Sequence, residues 1–171
     1  MNFFDVVQGR RSIRQYVADE DIPQTNVELM LEAAMLAPSA CNTRPWSFYV
    51  ISNRGVRMEL AELHPYAAHL KQAPLGIVVC AQPEKQKGIS AGFWPQDCGA
   101  AIENLLLEAV NLGYGACWCG IYPSLQGEKL EKIQQLLGTD EIPVALVTVG
   151  VPDEEPNRRG YYDPAAVHYI R

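Results

Sequence analysis

The chain has 171 residues, 48% of them hydrophobic and 20% charged, with a net charge of −6 and a pI near 5.0. That length suits one domain, residues 1–171, able to bury roughly two-thirds of its unfolded surface. The acidic balance excludes nucleic acid and anionic membrane as main partners, no run of about 18 apolar residues is present to span a bilayer, and Met1–Asp5 has none of the marks of a secretion signal, so the expectation is a soluble cytoplasmic protein.

In chain order, residues 2–9 read as a short helix and 24–37 as a second. In the latter Val27, Leu31, Ala34 and Met35 recur at helical spacing and Pro38 marks the stop. Residues 46–52 (WSFYVIS) are aromatic and β-branched and predict a strand, after which Asn53 caps a helix to about Leu63. The apolar run 75–81 predicts a central strand covered on both faces. A helix is expected over 96–112, its small residues allowing close packing. A strand over 114–119, a helix over 124–137 stopped by Gly138, and a buried strand over 143–150 follow. The tail from Val151 is too irregular for a core element and too aromatic to be free. Its composition fits an arm, about 151–171, embracing a partner subunit.

Two segments carry chemistry. Arg10-Arg11-Ser12-Ile13-Arg14 puts three guanidiniums and a hydroxyl within five positions of an otherwise acidic chain. Arginine's planar fork matches phosphate oxygens and stays charged at any working pH, so this is the natural seat for one anionic small molecule. Residues 37–46 (APSACNTRPW) set two prolines around small polar residues, which fits either an exposed ligand-facing loop or a plain helix-to-strand connection. The cysteines (41, 80, 98, 117, 119) are odd in number. Cys117 and Cys119, one residue apart, suit neither a zinc knuckle nor a redox dithiol, and no metal site is expected.

Arg10–Arg14 followed by Ala37–Trp46, Asn104, Gly113-Tyr114-Gly115 and Pro143–Gly150 resembles the nitroreductase family of FMN-dependent oxidoreductases over essentially the whole chain. The resemblance implies an α+β, three-layer sandwich with a mixed central sheet flanked by helices, in a homodimer with an exchanged C-terminal arm. It implies FMN at the subunit interface and NADH or NADPH as hydride donor. A small nitroaromatic or quinone-type electron acceptor would react by a ping-pong mechanism. By the same likeness Arg10 and Ser12 bind the phosphate or ribityl chain, and Arg14 sits at the pyrimidine edge of the ring; Arg11, by its charge, could hold the phosphate as well. Pro38, Ser39, Ala40 and Asn42 reach the flavin from the other subunit. Cys119, Gly120 and Ile121 supply a backbone N–H beside the ring, and Arg158 or Arg159 completes the phosphate site. The cofactor performs the redox chemistry, so no catalytic side chain is assigned. His69 and Lys71 stand where some relatives place a lysine near the ring; for His69 a surface-helix role is the commoner expectation. Trp94 and Phe93 are candidates for a pocket roof or for simple packing. The sequence leaves open two alternatives: other flavin chemistry on the same fold, and a non-enzymatic flavin-binding or redox-sensing module.

Overall fold

Helix boundaries follow side-chain caps and prolines. The computed structural model describes residues 2–18, 20–157 and 160–171. Helix α1 (Phe3–Gly9) opens on Asn2, whose Oδ1 accepts from the Asp5 N–H at 3.0 Å while the Asp5 carboxylate accepts from the Asn2 N–H at 3.3 Å. This reciprocal pair satisfies two otherwise orphaned donors. Helix α2 (Gln24–Met35) stops two residues earlier than expected. Ala37 precedes Pro38, which disfavours helical backbone there. Strand β1 (Trp46–Ile51) leads to helix α3 (Arg54–Leu63), capped as expected by Asn53 Oδ1, which accepts from the Val56 N–H at 3.1 Å.

Strand β2 (Leu75–Ala81) is buried along its whole length. Helix α4 (Trp94–Asn111) starts ahead of the expected Gln96, because Pro95 fits a first turn whose N–H groups need no helical partner. Strand β3 (Gly115–Gly120) precedes helix α5 (Glu128–Leu137). That helix starts later than expected, because the backbone at Gly127 is left-handed, with φ 63°. Strand β4 (Ile142–Gly150) completes the sheet.

The sheet order is β1-β2-β4-β3, each neighbouring pair antiparallel. Parallel pairing, expected of a mixed sheet, enters as one isolated bridge between Ser12 and Ala116. Alternation along the strands sends Ile77 and Val79 toward Met30 and Leu105 on the α2/α4 side. Val78 and Cys80 go toward Leu60 and Ile133 on the α3/α5 side. The result is a three-layer α+β fold. After Pro152 the described tail holds one short turn, Pro164–Ala166, and leaves Tyr161 86% and Ile170 98% exposed. No helix among the described residues is long and apolar enough to cross a membrane.

Candidate functional site

The arginine segment is seated by close packing against the end of β3. A Cβ on Gly115 would lie 2.7 Å from Ile13 Cγ1, and one on Gly150 would lie 2.7 Å from the Tyr16 ring. Glycine at both positions lets residues 12–16 lie directly on the sheet. The Ile13 N–H donates to Ala116 O at 3.0 Å. Tyr16 Oη donates to Ile13 O at 2.7 Å and lies 2.7 Å from Thr148 Oγ1, so the threonine hydroxyl serves as the donor in that second contact. Burial pushes the Tyr16 hydroxyl's pKa well up. From the other side, the Glu154 carboxylate accepts from the Arg14 and Gln15 N–H groups.

With its backbone pinned, the segment turns Arg10, Arg11, Ser12 and Arg14 onto one cleft of ≈ 550 Å³, shared with Glu154 and Asn157. Arg10 also pairs with Glu103 at 3.5 Å, and Arg11 Nη1 donates to Arg10 O at 2.6 Å. Arg14 lines a second cavity too, of ≈ 430 Å³, whose other walls include His64, Tyr66, Cys117, Cys119 and Gly120.

That second cavity is held by a neutral histidine. The Tyr66 N–H donates to His64 Nδ1 at 3.2 Å, so Nε2 carries the proton and donates to Gly120 O at 3.0 Å. Burial keeps its pKa below the ordinary 6.5. Gly120 is exposed, and a Cβ there would meet nothing within 4 Å. Ile121, next in the chain, is buried, 1% exposed, and its N–H donates to Val144 O at 2.9 Å. His69 sits on the turn Ala68–Lys71 rather than on a surface helix, 3.6 Å from Cys119 Sγ. The two thiols interact with each other: the neighbouring Cys119 thiol, with His69 and Arg14, draws the Cys117 thiol down, while Cys117 and burial push the Cys119 thiol up.

The loop after α2 is turned partly inward. Ser39 Oγ accepts from the Arg44 N–H at 2.9 Å, and Arg44 Nη2 donates to Met35 O at 2.8 Å. The Ala40 N–H donates to Asp97 Oδ2 at 3.1 Å, and Gln86 Nε2 donates to the same oxygen at 2.7 Å. Cys41, Asn42 and Arg44 all have positive φ, near 50°, a costly backbone for non-glycine residues that these bonds hold in place. Pro38 and Asn42 remain exposed, with Ser39 and Ala40 half-buried. Within one chain the cleft at Arg10–Arg14 contains none of them. Arg158 and Arg159 lie outside the described residues. Trp94 packs edge-on against Tyr122, ring centres 4.6 Å apart, while Phe93 is partly exposed.

Comparison with known proteins agrees with this architecture. The Nitroreductase family model matches residues 7–68 and 58–151. A protein of Methanothermobacter thermautotrophicus, provisionally named NADH dehydrogenase/NAD(P)H nitroreductase, is 40% identical over 98% of this chain and 86% of its own length. A crystal structure of a protein with the same provisional name from Bacteroides thetaiotaomicron superposes with a TM-score of 0.89 at 31% identity. It covers 99% of this chain and 97% of that one. A provisionally assigned nitroreductase from Desulfovibrio desulfuricans, crystallised in complex with FMN, matches with a TM-score of 0.75 at 30% identity, covering 94% and 92%. Motif order, sheet topology and whole-length similarity agree, and the chain belongs to the nitroreductase family.

Proposed function

We propose that this oxidoreductase takes hydride from NADH or NADPH by way of FMN and passes it to a small organic acceptor of nitroaromatic or quinone type. Donor and acceptor use one space in turn, a ping-pong order. The observation that carries this reading is the opening of Arg10, Arg11, Ser12 and Arg14 on a single cleft. That donor set fits a phosphorylated cofactor, since three permanent cations and a hydroxyl outweigh the one carboxylate, Glu154, on the same wall. The FMN-bound Desulfovibrio relative supports the same choice.

When bound, FMN supplies the hydride-accepting and hydride-donating ring, and no acid–base side chain is required of the protein. Arg10, Arg11 and Ser12 hold the phosphate end. Arg14, which also lines the neighbouring cavity, places fixed positive charge where a reduced ring carries negative charge. Cys119 and Gly120 border the ring end. In a homodimer Pro38, Ser39, Ala40 and Asn42 serve the partner subunit's cofactor. The arm 151–171 covers the partner, which buries the exposed Tyr161, Tyr162 and Ile170. Its Arg158 or Arg159 adds charge at the phosphate. The enzyme works in the cytoplasm.

The test is the visible spectrum of the purified protein, followed by anaerobic NADPH and then NADH. A yellow protein that bleaches on mixing is the expected result. A colourless protein that cannot take up FMN overturns the reading. A yellow protein inert to both nucleotides redirects it to other flavin chemistry or to a sensing module. Arg10→Ala and Ser12→Ala should each release FMN, whereas Lys85→Ala, exposed and remote from the cleft, should retain it.

A further inference from the structure

Three ligand atoms that hydride transfer does not use meet on the α3/α5 side of the sheet. Cys117 and Cys119 leave β3 on the same face, 2% and 4% exposed, while Trp118 between them leaves on the other. His69, fifty residues before Cys119, enters from the turn Ala68–Lys71. The three ligand atoms lie within 4.8 Å of one another, and Cys119 Sγ is 3.6 Å from His69 Nε2.

Two chemistries compete for such a cluster. A Cys117–Cys119 disulfide is disfavoured by the strand. At about 3.3 Å rise per residue, positions two apart have Cα atoms about 6.6 Å apart, at the far edge of the disulfide range. Both residues are also locked in the β3–β4 ladder, Cys117 opposite Thr148 and Cys119 opposite Leu146. A tetrahedral metal centre needs no such contraction. Bonds of about 2.3 Å to sulfur and about 2.0–2.1 Å to nitrogen set a sulfur and a nitrogen about 3.6 Å apart, and His69 and Cys119 already stand at that spacing.

We propose that His69, Cys117 and Cys119 bind one thiophilic d10 cation, Zn²⁺ or Cu⁺, with its remaining coordination position toward the ≈ 430 Å³ cavity. Thiolate and imidazole together select these ions. Binding forms two metal–sulfur bonds and one metal–nitrogen bond, and whatever proton the Cys117–Cys119 pair still carries is released to solvent. The histidine that lines this cavity, His64, is not a fourth ligand, because both its ring nitrogens are already bonded, to Gly120 O and to the Tyr66 N–H. Arg14 on the cavity wall balances one thiolate. The charges of the centre and Arg14 therefore sum to zero with Cu⁺ and to +1 with Zn²⁺. This inference goes beyond the redox reading and is tested without it, since metal uptake is measured without turning over any acceptor.

The experiment loads the full chain, reduced and metal-free, with Zn²⁺, and anaerobically with Cu⁺ against a competing chelator. Stoichiometry comes from native mass spectrometry and the metal's ligand shell from X-ray absorption. One equivalent is expected, with two sulfurs in the shell at about 2.3 Å for zinc. The stronger competitor of the two tells which ion the site prefers. Cys117→Ser and Cys119→Ser should abolish uptake, and His69→Ala should weaken it at least about tenfold. Cys41→Ser, at the exposed thiol, should leave it unchanged. Uptake that survives Cys117→Ser, or that vanishes with Cys41→Ser, overturns the proposal. Should the cysteine variants fail to fold, the wild-type ligand shell decides, and a shell without sulfur refutes the site. A ready Cys117–Cys119 disulfide on mild oxidation, with no metal uptake by the reduced chain, refutes it in favour of a dithiol pair.

Discussion

Residues 10–16 and residues 38–44 are both short polar stretches that carry arginine and serine, yet the fold treats them in opposite ways. The first is fastened through its backbone and its apolar side chains, Ile13 and Tyr16, which leaves the guanidiniums facing a cleft. The second spends much of its polar capacity on itself and on Asp97, through Ser39, Ala40, Thr43 and Arg44. A charged motif can turn its side chains onto a cleft when other groups hold its backbone in place. Following where each donor goes separates the two cases, and composition does not.

The contrast is open to direct attack. The largest effect should come from Gly115→Ala, whose new methyl would collide with three atoms of Ile13. We expect a loss of about 3 kcal/mol in denaturant unfolding, together with loss of FMN, because the arginine segment is displaced as a unit. Retained FMN at reduced stability would show that the arginines need no such seat. Asp97→Ala should cost about 2 kcal/mol by stranding the Ala40 N–H and one of the two Gln86 Nε2 donors, the other staying on Thr43 Oγ1. Gln86 Oε1 already lacks a partner among the described residues. Its signature should be selective proteolysis of the 38–44 loop while the Arg10–Arg14 cleft stays intact.

Tyr16→Phe should cost about 1 kcal/mol, since it removes a buried hydroxyl that bridges Ile13 O and Thr148. FMN affinity should fall with it if the hydroxyl positions the segment. The smallest effect concerns pH. His64 is neutral in the fold, its pKa below 6.5 chiefly through burial, whereas the unfolded chain takes up the proton near 6.5. The unfolded state therefore binds more protons in that window. Stability is complete above about pH 6.5 and is lost as pH falls toward the folded value. His64→Gln should flatten that limb of a stability-versus-pH curve, and an unchanged slope would assign it to other groups.

Much of the architecture was legible because it rests on local signals. Asn53 caps the helix it precedes, the unbroken apolar run 75–81 is the fully buried β2, and Pro38 lies just beyond the end of α2. Arg10, Arg11, Ser12 and Arg14 were legible as a charge anomaly. The residues that sequence reasoning missed act across long separations. Glu154 reads as one more acid in an irregular tail until its carboxylate is found on the Arg14 N–H. His64 reads as the end of a helix, although it orients the Gly120 carbonyl. The pair of glycines at the ends of β3 and β4 was the available signal for a close backbone approach, and it passed as ordinary strand punctuation. Cys117 and Cys119 were set aside on their spacing because the third member of the cluster, His69, arrives from another layer of the fold.

One contact described above concerns the order in which the enzyme is completed. Tyr16 pairs with Pro152 in an antiparallel bridge, Val17 and Asp153 exchange bonds with Val151 and Gln15, and Glu154 reaches Arg14 across 140 residues. The Arg10–Arg14 cleft is thus stitched from two stretches near opposite ends of the polypeptide. During synthesis the sheet strands are all made before residues 151–154 emerge, so the cleft is the last part to be assembled. On the proposed reading, a cofactor held there reports a chain made through residue 154, and a nick ahead of that residue should release the cofactor.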